Sequence, residues 1–310
     1  VRLQNHSDIA DSVVRRRPDD IELGATPDLD DIEQAMNKVY GLEYYQNVRY
    51  GLVTEEDGAT GLEVELDPRS WGPNYLQLGM EYSSASDTDA LFSLAASYLR
   101  TAINELGGEW RATFIVGDEP AMIADYYQPF GSEALYFIAP SPEIGSNIVN
   151  VYDGDTLLSE ARVREARLEF GVGRELPSWG EVRVGMRLAR GETDLRLGDP
   201  TLVPDEHYRR GQFFARFAVD TMDSVSFPRA GTLASVEWRG PRTGALSADE
   251  RFDQMLMSVA HAKTWGRHTV LSTFRYDLTI SGVSPLNSLF QLGGFYDLSG
   301  LNENQLSGQH

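Results

Sequence analysis

The residues best suited to hydrolytic chemistry are Asp57-Gly58-Ala59, because an Asp-Gly-Ala triplet carries the catalytic aspartate in some lipases. Such an aspartate serves a serine nucleophile that sits on a G-x-S-x-G turn. No G-x-S-x-G occurs in the sequence. Asp-Gly is also a strong signal for a hairpin turn, and the triplet separates two alternating segments. We therefore interpret it as a turn and predict no catalytic residue in this chain.

Histidine and acidic residues show no spacing typical of a metal or cofactor site. The pair Asp153 and Asp155 flanks a glycine but lacks the further ligands of a calcium loop. There is neither a G-x-G-x-x-G nor a P-loop, and no histidine belongs to an H-E-x-x-H motif. The sequence predicts no metal and no cofactor. The five histidines are at positions 6, 207, 261, 268 and 310.

Charge and composition exclude further classes of function. The formal net charge is −20, and the basic run Arg15–Arg17 is the one cluster of positive residues. Nucleic-acid binding needs net or local positive charge, so we expect no nucleic-acid partner. The chain has no Cys, which excludes disulfides, Cys-ligated zinc and thiol catalysis. Lysine occurs only at positions 38 and 263, and arginine suits buried ion pairs better than lysine does.

Residues 1–70 have the pattern of a small α+β domain in the order β-α-α-β-β. Residues 1–3 form a short strand candidate, and a first helix is predicted from Ser7 to about Arg17. Residues 48–52 and 62–66 alternate between apolar and polar side chains, as strands do. Two helices covering one face of a three-stranded sheet would account for this order.

The second helix has the clearer pattern. Asp28 is a candidate N-cap and Gly41 a candidate C-terminal stop. Apolar residues between them recur at spacings of 3, 4 and 3, which is one helical face. We expect this face to be buried; it consists of Leu29, Ile32, Met36 and Val39.

From Tyr75 onward the sequence alternates with a period of two and predicts a mainly β structure. One face is wholly apolar, as in Leu76, Leu78, Met80 and Tyr82, and the other carries Arg, Glu and Gly. Each segment is about ten residues long, which suits a tilted strand crossing a bilayer. The predicted strands are 74–83, 90–101, 108–117, 121–129, 133–151, 156–173, 179–190, 208–220, 231–240, 252–264 and 268–280.

Arginine together with glutamate on the polar face favours the lumen of a transmembrane β-barrel, where charges pair across the wall. A soluble all-β envelope protein that binds glycans or peptides also shows alternation and remains an alternative. The longest predicted connections, 191–207 and 241–251, follow odd-numbered strands, which matches the long external loops of outer-membrane barrels.

Eleven strands leave a free edge, which lipid does not tolerate. We therefore expect strands beyond His310. The first residue is Val1 and no signal peptide is recognisable, so we also expect the chain to begin inside a longer protein.

The stretch 220–231 resembles the D-T-x-D/N-x-x-x-F-P-x-x-G turn of the BamA/TamA outer-membrane assembly superfamily, also called the bacterial surface antigen family. Residues 1–70 resemble that family's POTRA (polypeptide-transport-associated) domain, so the resemblance covers the whole chain. The positions that match the turn are Asp220, Asp223, Phe227, Pro228 and Gly231.

The stretch 290–301 resembles the loop after the eleventh strand of the same family, whose tip folds back into the lumen. Assembly factors and secretion pores carry Arg-Gly-Tyr or Arg-Gly-Phe at this tip, whereas this chain has Ser-Gly-Leu at 299–301. Leu-Ser-Gly at 298–300 resembles instead the branch in which a barrel follows a single POTRA domain and a patatin-like phospholipase. The matching positions are Gly293, Gly294, Leu298, Ser299 and Gly300.

The resemblance implies a sixteen-stranded antiparallel barrel, with about eleven of its strands in residues 71–310, and a periplasmic POTRA domain in residues 1–70. The implied role is a membrane anchor or translocation pore in the bacterial outer membrane, for a patatin-like phospholipase fused on the N-terminal side. An assembly or secretion factor is the alternative. The implied partners are outer-membrane lipid, lipopolysaccharide and a polypeptide passenger.

Two structural expectations follow. The Leu76–Tyr82 stripe should face lipid, while Arg183 and Arg187 should face the lumen. The loop 290–308 should enter the barrel, held by Asp297, Glu303 or backbone groups that contact lumen arginines such as Arg183, Arg187 or Arg216.

Overall fold

The structure is a computed structural model of the chain, and it is mainly β. The residues it describes are 2–15, 29–40, 44–54, 60–69, 72–83, 91–176, 179–203, 206–224, 227–294, 298, 300–302 and 304–310.

The chain forms sixteen strands, two α-helices and one 3₁₀ helix within these residues. In chain order they are β1 Arg2–Asn5, α1 Asp11–Arg15, α2 Leu29–Tyr40, β2 Tyr45–Thr54, β3 Thr60–Pro68, β4 Asn74–Ser83, β5 Leu91–Arg100, β6 Glu109–Gly117, β7 Ala121–Phe130, β8 Tyr136–Asp153, β9 Thr156–Leu176, β10 Gly180–Gly198, β11 Glu206–Asp220, β12 Ala230–Pro241, β13 Asp253–Trp265, β14 His268–Ser281, the 3₁₀ helix Leu286–Ser288, β15 Phe290–Leu292 and β16 Leu306–Gly308.

The first three strands form a sheet in the order β1-β3-β2, with β1 parallel and β2 antiparallel to β3. The helices bury apolar side chains together with Leu62, Val64 and Leu66 of β3. This agrees with the predicted order of elements. Ile9 and Val13 are buried as well, although α1 is described only over Asp11–Arg15.

The predicted buried face of α2 is confirmed at three of its four positions. Ile32, Met36 and Val39 are at most 6 % exposed. Leu29 is 56 % exposed, so its predicted burial was wrong. It is the first residue of the helix, one turn before the part that packs against the sheet. The predicted caps and the Asp57-Gly58-Ala59 turn lie outside the described residues.

β4 to β14 form one antiparallel sheet of eleven strands, in which each strand pairs with its neighbours in the sequence. All eleven predicted strands are present. The predicted loop 191–207 was wrong, because β10 continues to Gly198 and β11 begins at Glu206. The hydrophobic alternation stops near Arg190, but backbone pairing continues as far as Thr193 with Glu206. Periodicity of apolar residues therefore marked the apolar part of these strands rather than their ends.

Side chains alternate between two unlike faces along this sheet. Leu78 is 78 % exposed and Met80 74 % exposed on the outer face, whereas Arg187 and Glu237 are buried on the inner face. Within the described residues, β4 pairs only with β5 and β14 only with β13, so the sheet is open there. Closure into a barrel stays a prediction.

The small sheet and helices pack at one end of the large sheet. Ala10 donates a backbone hydrogen bond to Glu105 at 2.8 Å, and Tyr44 donates its hydroxyl to the carbonyl of Gly107 at 3.3 Å. Ala134, in the turn between β7 and β8, belongs to the same core cluster as the helices. The described residues 199–203 and the connection 242–252 lie at the opposite end. None of the described helices is both long and apolar enough to cross a bilayer.

Candidate functional site: the polar wall and the segment over it

The inner face of the large sheet surrounds a cavity of about 1040 Å³. Ten strands contribute to its lining, from Leu99 on β5 to Arg275 and Asp277 on β14, so the sheet curls around it. We call the inward-facing side chains of β8 to β12 the polar wall. They determine what the cavity presents to a molecule inside it.

Glycines allow aromatic rings to lie flat against this wall. A Cβ atom on Gly173 would meet the Phe137 ring at 2.3 Å, and one on Gly185 would meet the Phe214 ring at 2.7 Å. Both rings are at most 2 % exposed. The glycines that alternate with charged residues in the sequence therefore make space for an aromatic layer.

Arginines lie over these rings. The Arg183 guanidinium is 5.1 Å from the Phe137 ring centre, and that of Arg187 is 4.6 Å from the Phe214 ring centre. A guanidinium stacked on an aromatic face keeps its edge free for hydrogen bonds to carboxylates. The rings thus orient the two arginines that the sequence predicted to face inward.

Carboxylates complete the wall. Arg187 bridges Glu169 and Glu237, and its Nη1 is 2.7 Å from Oε1 of Glu237. Arg216 donates from Nε to the same Glu237 at 2.8 Å. Arg183 pairs with Glu181 at 3.0 Å. The predicted pairing of Arg and Glu across the wall is therefore present at four contacts.

The described residues of the segment 284–310 contact inward-facing side chains of the sheet at several points. Gln254, on β13, is fully buried and donates from Nε2 to Ser284 Oγ and to the carbonyl of Ser288, both at 2.9 Å. Arg210, on β11, donates to Asn287 Oδ1 at 2.6 Å. The start of this segment is thus bound to inward-facing side chains.

The far end of the segment is bound as well. Gln305 donates to the carbonyl of Gly154 at 3.0 Å and to Asp155 Oδ1 at 2.9 Å, which joins it to the turn between β8 and β9. The backbone N–H of Thr279 donates to the carbonyl of Gln309 at 2.7 Å. These contacts place Asp155 in a structural role.

The expected pairing of Asp297 or Glu303 with lumen arginines falls on residues outside the described part, and it stays a prediction. The three arginines named for it already bind wall carboxylates. Among the described residues, the amide side chains of Gln254 and Gln305 hold the segment together with Arg210, which donates to both the side chain and the backbone carbonyl of Asn287. The amide contacts were not predicted from the sequence.

The predicted turn motif forms the connection between β11 and β12. Asp223 Oδ1 accepts the backbone N–H of Arg229 at 2.8 Å and that of Ala230 at 3.1 Å. These two donors hold the pKa of Asp223 below its usual range. Gly231 has a φ of +111°, and a Cβ there would lie 2.1 Å from the carbonyl oxygen of Thr221. The geometry of the turn therefore accounts for the Asp at position 223 and the Gly at position 231 of the motif.

The side chains of two other motif residues are less buried, although the backbone N–H of Phe227 donates to Ser224 Oγ at 3.2 Å. Phe227 is 83 % exposed, and Pro228, next to it, is half-buried. Asp220 accepts the backbone N–H of Met222 at 3.1 Å and so begins the turn.

The second motif lies between β15 and β16, which pair with each other. Gly293 has a φ of +135°, and a Cβ there would lie 2.2 Å from the carbonyl oxygen of Asn302. Gly294 pairs with Leu298 in an isolated bridge. Gly300 has open space around it, and Ser299 lies outside the described residues. The two positive-φ glycines make the tight reversal possible.

One group of possible metal ligands occurs within the described ranges: His6, Glu65 and Asp67, on the small sheet. Arg49 binds both carboxylates, at 3.1 Å and 2.7 Å. A hydrogen bond from His6 is the largest cause that lowers the pKa of Asp67, and Arg49 adds to it. This arrangement is an exposed ion-pair cluster in which a guanidinium already neutralises the acids.

Comparison with known proteins places the fold. No family model and no curated protein matches the sequence. Among solved structures, BamA from Haemophilus ducreyi lacking POTRA domains 1–3 aligns with a TM-score of 0.62 at 13 % identity, over 98 % of this chain. CdiB from Escherichia coli aligns at 0.60 and 12 % over 99 %, and CdiB from Acinetobacter baumannii at 0.58 and 12 % over 99 %.

The chain spans 57–59 % of the length of these three structures. Over the aligned residues it therefore has the fold of BamA and CdiB. At 12–13 % identity this likeness concerns the fold alone.

Proposed function

We propose that this chain is part of a bacterial outer-membrane β-barrel whose polar wall lines a path or seat for a polypeptide passenger. The main support for this proposal is the contrast between the two faces of one continuous sheet. The outer face exposes large apolar side chains, whereas the inner face pairs charges around a cavity of about 1040 Å³. A transmembrane barrel with a polar interior has this distribution.

The extent of the outer apolar surface speaks against the soluble alternative. Every strand from β4 to β14 has at least one exposed large apolar side chain, for example Leu78 on β4, Val184 on β10 and Phe274 on β14. Soluble monomers rarely expose apolar patches above a few hundred Å². Lipid is the solvent in which such a surface is stable.

We assign residues 1–70 to a POTRA-like domain on the periplasmic side. Its support is the β-α-α-β-β order together with its position against the short-turn end of the large sheet. The long connections at the other end would then be extracellular.

We propose a patatin-like phospholipase, attached on the N-terminal side, as the passenger. The support is the resemblance of Leu298-Ser299-Gly300 to the tip sequence of that branch. The chain itself is proposed to be non-enzymatic. A second candidate, an outer-membrane assembly or secretion factor, is favoured by the structural likeness to BamA and CdiB.

Fractionation tests the membrane assignment. The complete gene product should sediment with outer membranes, require detergent for extraction and change its gel mobility on heating. Protein that stays soluble without detergent would support the soluble alternative.

Two measurements separate the candidates for the passenger. In the anchor model, outer membranes from expressing cells gain phospholipase activity, and the 310-residue chain alone gives no labelling with a serine-hydrolase probe. In the assembly model, depletion lowers the amounts of other barrel proteins and leaves lipid hydrolysis unchanged.

A further inference from the structure

A group of arginines lies on the outer face of the large sheet, immediately beyond its apolar belt. On β10 the outward side chains Met186 and Leu188 are followed by Arg190, toward the end away from the small domain. We call the following residues the outer arginine patch: Arg162 and Arg164 on β9, Arg190 on β10 and Arg209 on β11.

Two of these arginines face each other with little compensation. Arg190 and Arg209 are directly opposite in the pairing of β10 with β11. Like charges at opposite positions destabilise a strand pair. The Arg190 side chain has no hydrogen bond or ion pair with any described residue. The guanidinium of Arg209 lies 3.4 Å from Oδ1 of Asp249, whose other oxygen accepts the Arg209 backbone N–H at 2.5 Å. By contrast, Arg164 is held by Glu192 at 2.8 Å and by Asp194. The Arg190–Arg209 pair is thus the part of the patch that an external anion would stabilise.

Apolar grooves flank this pair. One groove of about 610 Å³ is lined by Leu168 and Leu188, with Arg190 and Arg209 at its rim. A second, of about 660 Å³, is lined by Met122 and shares Arg190. Ile144 lines both. The second groove is also lined by Arg164 and Glu192, which pair with each other. An occupant that combines a strong anion at Arg190 and Arg209 with apolar chains extending to both sides would fit this surface.

We propose that this surface binds the phosphorylated glycolipid of the outer leaflet, lipopolysaccharide, with a phosphate on Arg190 and Arg209 and acyl chains in the two grooves. The proposal rests on the proposed outer-membrane function, which makes the end away from the small domain the outer-leaflet side. Guanidinium groups bind phosphate in two-point geometry, and such charge-assisted bonds are about twice as strong as neutral ones. Inorganic phosphate shares the anion but cannot occupy the grooves.

The test uses the complete gene product, purified from membranes in a zwitterionic detergent. Binding of diphosphoryl lipid A is compared with binding of the same lipid without phosphates and of inorganic phosphate. The test variant is Arg190→Gln combined with Arg209→Gln. The matched control is Arg100→Gln combined with Arg174→Gln, which removes the same charge from two exposed outer-face arginines at the opposite end of the sheet.

The proposal expects the test variant to bind diphosphoryl lipid A at least about tenfold more weakly, since two charge-assisted contacts are lost. The control should change the affinity by less than about twofold, and dephosphorylated lipid should bind the native protein about as weakly as diphosphoryl lipid A binds the test variant. Equal weakening by both variants, unchanged binding in the test variant, or equally tight binding of inorganic phosphate would each overturn it.

Failure of this proposal and failure of the proposed function give different results. If the native protein sediments with outer membranes but the arginine substitutions leave lipid binding unchanged, only the lipid site is wrong. If the native protein is soluble without detergent, the membrane assignment is wrong, whatever it binds. Heat-dependent gel mobility of both variants verifies that they fold.

Discussion

Removing the carboxylate of Glu237 should destabilise the sheet more than removing an exposed charge would. Its two oxygens accept from Arg187 at 2.7 Å and 3.2 Å, and from Nε of Arg216 at 2.8 Å. Its side chain is only 10 % exposed, as is that of Arg187. Glu237→Gln keeps the shape of the side chain but leaves two guanidinium groups facing a neutral amide.

The two arginines would be affected differently. Arg187 keeps Glu169 as a partner, whereas Arg216 has no other acceptor among the described residues. Breaking a buried pair by removing one partner costs about 3–5 kcal/mol, because a charge stays buried without compensation. We expect a loss in this range, toward its lower end since the Arg216 side chain is 31 % exposed and can reach water.

The assay is equilibrium unfolding by urea in detergent micelles, followed by gel mobility and tryptophan fluorescence. The matched control is Glu143→Gln, which breaks a pair with Arg167 on the same face, where the side chains are 27 % and 39 % exposed. A half-exposed pair contributes about 1 kcal/mol or less. Adding Arg216→Gln to Glu237→Gln should restore part of the lost stability, because the uncompensated charge is then removed.

A loss for Glu237→Gln no greater than that for Glu143→Gln would refute the reasoning. It would mean that water enters the wall and screens these charges, and that the cavity is an open aqueous space rather than a packed lining.

Three further predictions concern other parts of the chain. Met80→Arg should impair membrane assembly more than Arg187→Ser, measured by heat-dependent gel mobility, because a charge at the lipid midplane costs roughly 2–4 kcal/mol and lumen changes cost less on average; the reverse ranking would mean that the two faces are exchanged. The pKa of Asp223 is lower in the folded state than the unfolded value of about 3.9, so the ionised carboxylate stabilises the turn above that pH, and this stability is lost as the pH falls through the folded-state pKa. Asp223→Asn should therefore flatten the pH dependence of the free energy of unfolding below about pH 4. An unchanged pH profile would contradict this prediction. In the complete protein, Ser299→Cys should form a disulfide with Arg216→Cys if the loop tip lies in the lumen, whereas labelling of the first cysteine by an impermeant reagent on intact cells without any cross-link would place the tip outside.

The sequence indicated the strands and their faces because both depend on local alternation. Val182 to Leu188 on β10 alternate between exposed and less exposed side chains, as a period of two requires. The two wrong predictions, the end of β10 and the burial of Leu29, also have local causes. Charges after Leu188 ended the hydrophobic signal of β10 before its backbone pairing ended, and the exposure of Leu29 depends on where α2 meets the small sheet.

The contacts of the polar wall could not be predicted in this way. Arg187 and Glu237 are fifty positions apart, and they meet only because the registers of three neighbouring strands bring them together. Gln305 and Asp155 are separated by 150 positions. Nothing in the local pattern distinguishes these residues from other polar ones. The glycine, aromatic and arginine layer had a signal, since glycine alternates with charge on β9 and β10, but the ring that each glycine admits comes from another strand.

The composition of the polar wall bears on what a cavity of this kind can do. Arg183, Arg187 and Arg216 are matched by the three carboxylates of Glu169, Glu181 and Glu237, so this part of the wall is neutral although the chain carries a formal charge of −20. Where charges bind each other in this way, the wall offers a passing polypeptide weak polar contacts; Arg239, which lines the same cavity, instead binds the neutral Gln254. Strong sites would hold the polypeptide in place, whereas an uncharged apolar wall would bind its hydrophobic side chains. Internal pairing of Arg with Glu at these positions therefore fits the proposed path for a polypeptide, and arginine suits such pairing because it binds carboxylates at two points.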